Sequence, residues 1–94
     1  MISERFDAII ARRDSFRLGI LGGTFDPIHI GHLHIAQCAY EQYALDGVLF
    51  VTTGVPIRKV GTGFTDAEHR FAMVGAAIAE NDHFDASRIE LDRP

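Results

Sequence analysis

The sequence predicts an α/β protein, a parallel sheet of three strands connected in the order strand, helix, strand, helix, strand. Two observations carry that reading. The runs Phe16–Leu21 and Val48–Thr52 are short, nearly continuous in apolar residues and bounded by glycine, which suits strands covered on both faces of a parallel sheet. After each run apolar residues recur at helical spacing, first at Leu33, Ala36 and Tyr40, then at Phe71, Val74 and Ile78. Strands alternating with helices fold as βαβ crossovers. Right-handed crossovers make such a set one mononucleotide-binding half of a doubly wound fold.

Residues 1–15 form an N-terminal helical extension, in which Phe6, Ile9 and Ile10 share a face and the helix ends near Asp14 or Ser15. The first strand follows and stops at Gly22-Gly23. A loop leads to a helix of about four turns that begins near Gly31. Its apolar stripe is Leu33, Ile35, Ala36, Ala39, Tyr40 and Tyr43. Asp46-Gly47 introduces the second strand, and the stretch from Thr53 to Phe64, with its three glycines and one proline, reads as a long loop. Thr65-Asp66-Ala67-Glu68 has the form of a capping box, opening a helix whose inner face is Phe71, Val74, Ala77 and Ile78. A third strand is expected around Ser87 to Leu91. Residues 16–94 thus read as the N-terminal part of a domain, incomplete at the C-terminus.

A chain of 94 residues buries only a small core. Its net charge of −4 supplies no overall positive field, so neither nucleic acid nor membrane is an expected partner, and any anion must be held locally. Cys38 is the single cysteine and cannot form an internal disulfide, which favours a reducing, cytoplasmic setting. No apolar run reaches the roughly 20 residues of a spanning helix. The mixed charges of the first 14 residues do not resemble a targeting peptide.

The chemistry concentrates in Gly22-Gly23-Thr24-Phe25-Asp26-Pro27-Ile28-His29-Ile30-Gly31-His32. A strand ends, two glycines allow a sharp turn, and a helix begins. Amides in that turn and at the helix start lack internal partners, and with the helix dipole they favour phosphate oxygens. Gly22 and Gly23 let a ligand approach the main chain, and Gly31 leaves a flat spot for a nucleoside. His29 and His32, three apart, project together; they can donate N–H bonds to phosphate oxygens and gain charge beside them. Pro27 keeps Asp26 out of the helical region.

Other residues have plainer readings. His29, His32 and His34 could ligate zinc, but no Cys or carboxylate completes a tetrahedral set nearby. Asp26 reads as a turn former before proline rather than an acid–base group. Cys38, Tyr40 and Tyr43 read as packing or boundary residues, and His69 and His83 as surface residues. Arg58 is equally a phosphate contact or a solvated loop charge. Arg70, on a helix, reads as the partner of an acid.

The eleven-residue loop resembles the His-x-Gly-His nucleotidyltransferase superfamily, and most closely the bacterial nicotinate mononucleotide adenylyltransferases. Pro56-Ile57-Arg58-Lys59 stands where that family has Pro-Pro-His-Lys, with Ile57 and Arg58 departing from the pattern. Glu68-His69-Arg70-Phe71-Ala72-Met73 resembles the following helix, and Glu90-Leu91-Asp92-Arg93 the segment before a nicotinate-binding stretch. The resemblance implies a Rossmann-like sheet, here its N-terminal half, and adenylyl transfer from ATP to nicotinate mononucleotide. His29 and His32 would serve the ATP phosphates as catalytic residues. Gly22, Gly23, Thr24, Phe25 and Gly31 would line the phosphate site, Lys59 would reach in from the loop, and Mg2+ would arrive with ATP. Pantetheine-phosphate adenylyl transfer is the nearest rival. The other reading is a non-catalytic nucleotide-binding module, or a homo-oligomer formed through an open sheet edge.

Overall fold

The computed structural model describes residues 3–54 and 66–92. Helix α1 (Glu4–Ile10) is started by the Ser3 hydroxyl, which accepts from the Phe6 N–H at 3.1 Å, and carries Glu4 and Asp7 in its first turn, where the dipole favours acids. It ends before the predicted Asp14, because Arg12 and Arg13 close a tighter turn onto the Ile9 and Ile10 carbonyls. Phe6 is fully buried, packed on Phe16 with ring centroids 5.2 Å apart and lying over Gly47. The Arg5 guanidinium donates to the carbonyls of Ala79, Asn81 and Phe84, and the Arg5 N–H donates to the Asp85 carboxylate. These contacts fasten α1 to the end of the sheet where the second and third strands begin.

The sheet is parallel, in the order β1 (Leu18–Gly23), β2 (Gly47–Thr52) and β3 (Phe84–Ser87). The βαβαβ order and parallel pairing match the sequence reading, and two boundaries move. The first strand continues through both glycines, with Gly22 paired to Val51 and Gly23 to Thr52, while Phe16 leaves the ladder to meet Phe6. The third strand begins at Phe84 rather than Ser87. Ile89 and Leu91 mimic strand alternation, but residues 88–92 turn, with Leu91 and Asp92 donating to the Arg88 carbonyl.

Helices α2 (Ile30–Gln42) and α3 (Ala67–Ile78) meet one face of the sheet in a core of Phe25, Ala36, Val48, Phe50, Val74, Ile78 and Phe84. Leu21 packs on this core, so its neighbour Ile20 points the other way and is 68% exposed. The expected double cover therefore fails for β1. Continuous apolarity does not say which face is covered; the alternation of neighbours does. On α2, Leu33, Ala36 and Tyr40 face inward, whereas Ile35 and Tyr43 are exposed. The Asp66 carboxylate caps α3, accepting from the Glu68 and His69 N–H groups. The predicted cap, Thr65, lies outside the described residues, and Glu68 turns from the box to a two-bond pair with Arg88. Val74 and Ile78 are buried as expected, but Ala77 is exposed and Arg70 takes its place in the core. Among the described residues no helix is long and apolar enough to cross a membrane.

Candidate active site

The turn from β1 to α2 lies at the carboxyl end of the sheet, where open α/β folds receive ligands. Phe25 holds it down. The residue is 2% exposed, and its ring lies 5.9 Å from that of Phe50 and meets the His32 ring edge-on at 5.0 Å. Phe25 also has φ 51°, a left-handed conformation that a bulky residue keeps only when its surroundings hold it there. Gly23 lies directly beneath, and a Cβ there would stand 3.2 Å from the Phe25 ring. At this glycine the structure supplies a packing reason beside the expected access for a ligand. Asp26 is exposed in the turn, joined to Pro27 by a cis peptide bond.

His29 and His32 come together as expected, their rings 3.9 Å apart and tilted by 36°. They also cap α2. His29 is the N-cap, and its Nδ1 accepts from the Gly31 N–H at 3.1 Å, while His32 Nδ1 accepts from the His29 N–H at 3.0 Å. A nitrogen that accepts carries no proton, so the proton of each neutral ring sits on Nε2. Both imidazoles are thereby set as Nε2–H donors. Burial pushes the His32 pKa below its ordinary value, and the neighbouring His29 adds to the effect. At Gly31 too a packing reason stands beside the flat spot read in the sequence: a Cβ there would stand 2.9 Å from His29 Cε1 and 3.0 Å from Nδ1, so its absence makes room for the capping ring.

Arg70 is the residue that sequence reasoning misread. It is 1% exposed, and its Nη1 donates to the Thr24 carbonyl at 2.8 Å and to the Thr53 carbonyl at 2.7 Å, joining the ends of β1 and β2. The signal was its spacing, since Arg70, Val74 and Ile78 stand four apart on one stripe.

The remaining candidates divide. Lys59 and Arg58 lie outside the described residues. Cys38 is on the solvent side rather than in the core, with Sγ 3.5 Å from His34 Nε2. His83, expected at the surface, is half-buried; it stacks on Tyr40 at 3.9 Å and its Nε2 meets the Gln37 amide oxygen at 2.9 Å. His69 is exposed as expected, and Tyr43 is exposed rather than packed. Among the described residues, no three His, Cys, Asp or Glu side chains group to hold a metal. A separate cleft of about 280 Å³ between α2 and α3, lined by Ile30, Leu33, Gln37 and Phe84 among others, contains neither site imidazole.

The signature of the cytidylyltransferase-like family matches residues 20–94. The chain belongs to that family. Three bacterial proteins similar to this chain carry the description "Probable nicotinate-nucleotide adenylyltransferase". The one from Moorella thermoacetica is 51% identical over 77 residues, covering 82% of this chain and 36% of the relative. One from Desulfitobacterium hafniense is 46% identical over 77 residues, covering 82% and 37%. One from Corynebacterium kroppenstedtii is 51% identical over 77 residues, covering 82% and 36%. The chain thus spans little more than a third of the length of these curated relatives.

Proposed function

We propose that this chain carries the nucleotide-gripping part of an adenylyltransferase that converts ATP and nicotinate mononucleotide to nicotinate adenine dinucleotide and pyrophosphate. A phosphate oxygen of the mononucleotide attacks the α-phosphorus of ATP, the bond to the bridging oxygen breaks, and pyrophosphate leaves with the electron pair. The substrate brings its own nucleophile, so the protein has only to position the groups and stabilise charge. His29 and His32 donate from Nε2 to phosphate oxygens, amides of Thr24 and Phe25 cradle them beside Gly22, Gly23 and Gly31, and the Thr24 hydroxyl adds a bond; the Gly23 amide, also expected to cradle phosphate, lies in the ladder with β2. Lys59 supplies a point charge. Magnesium enters with ATP, held largely by phosphates and water, so a full protein cage is not required of it. A cytoplasmic setting goes with this reading.

The observation that supports it best is the pair of capping imidazoles, each with Nδ1 committed to the backbone and Nε2–H left to donate. The test supplies the protein with ATP, Mg2+ and either nicotinate mononucleotide or phosphopantetheine, and measures pyrophosphate. Release with the first acceptor is expected, and release only with the second overturns the choice of acceptor. ATP binding without release for either acceptor favours the module reading.

A further inference from the structure

We propose that Arg70 is a positioning residue for phosphate binding, acting through the main chain rather than by touching the nucleotide. The inference rests on the nucleotide reading above and adds a residue outside the loop. A trans peptide is planar, and its C=O and N–H point in opposite directions. Arg70 Nη1 holds the Thr24 carbonyl inward at 2.8 Å, which turns the N–H of the same peptide, that of Phe25, away from the buried guanidinium. The Phe25 ring, packed between Phe50 and His32, fixes the far side of that peptide. The second bond, to Thr53 at 2.7 Å, fastens this peptide to the end of β2.

Two carbonyl oxygens at the mouth of a phosphate site would repel an anion. Arg70 draws both toward its own charge and leaves an amide as the group presented. Lysine cannot substitute fully, because its ammonium lacks the planar fork that fixes direction.

The test uses the 94-residue chain, with ATP and inorganic pyrophosphate as probes. In amide nuclear magnetic resonance spectra of the wild type, pyrophosphate is expected to move the Phe25 N–H among the largest shifts. Arg70→Lys, checked by circular dichroism to be folded, is expected to weaken ATP binding about tenfold and to shrink the Phe25 shift, with Arg70→Met weaker still. An Arg70→Lys chain that is folded and binds ATP as the wild type does would overturn the positioning function. So would a wild type whose Phe25 amide stays still at saturating pyrophosphate while other resonances move, a result that needs no variant to fold. A wild type that binds neither probe overturns the nucleotide reading itself, and the inference with it.

Discussion

At the scale of single residues, two histidines and a glycine share one geometry. Gly31→Ala should separate stability from binding. An alanine in the first turn gains up to about 1 kcal/mol of helix propensity, and displacing the His29 ring from its cap loses about 1 kcal/mol. The melting temperature should therefore change little, while ATP affinity measured by calorimetry falls because the ring is moved. The pH dependence follows from the direction of the His32 shift. A histidine whose folded pKa lies below its ordinary 6.5 binds fewer protons folded than unfolded across the interval between those values, so stability rises with pH there. Its contribution is present above about 6.5 and is lost as pH falls toward the lowered folded value. Wild-type melting temperature should drop from about pH 7 to about pH 5, and His32→Asn, which keeps an acceptor but does not titrate, should drop less. The pairing of His29 with His32 was legible from their spacing and from the run that precedes them. That both rings cap the helix was not, since a cap depends on ring rotation that no spacing encodes.

At the scale of elements, α1 stands apart: it lies before the residues matched by the family signature and packs on the end of the sheet opposite the loop. Phe6 is its buried anchor, beside the bonds that Arg5 makes. Phe6→Ala should cost about 3 kcal/mol, a large share of the stability of a small domain. It should lower the denaturant midpoint while leaving ATP affinity unchanged in the folded population; an affinity loss matching the stability loss would show that the extension reaches the loop. The strand and helix order was legible because period and glycine punctuation agree along the chain. Boundaries failed where a side chain's tertiary partner decides the matter. Phe16 leaves the strand for Phe6, residues 88–92 fold back on the Arg88 carbonyl, and Asp66 takes over as the cap of α3. Arg70 was misplaced for the same reason, since a charged residue on a core stripe becomes intelligible only once the two carbonyls it serves are known.

At the scale of the whole molecule, the parallel sheet orders the other levels. Its carboxyl end gathers the loop, the two imidazoles and the carbonyls held by Arg70, while its opposite end is clasped by α1. The face bearing Ile20 is open at β1, and the chain spans little more than a third of the length of its relatives. On the function proposed above, the first property to test is the grip of the loop on nucleotide phosphates. The most direct measurement is a crystal structure with a non-hydrolysable ATP analogue and Mg2+. Phosphate oxygens should lie about 2.7–3.1 Å from Nε2 of His29 or His32 and from the Phe25 amide. Phosphates lodged in the cleft between α2 and α3, with both Nε2 atoms bonded only to solvent, would contradict the account.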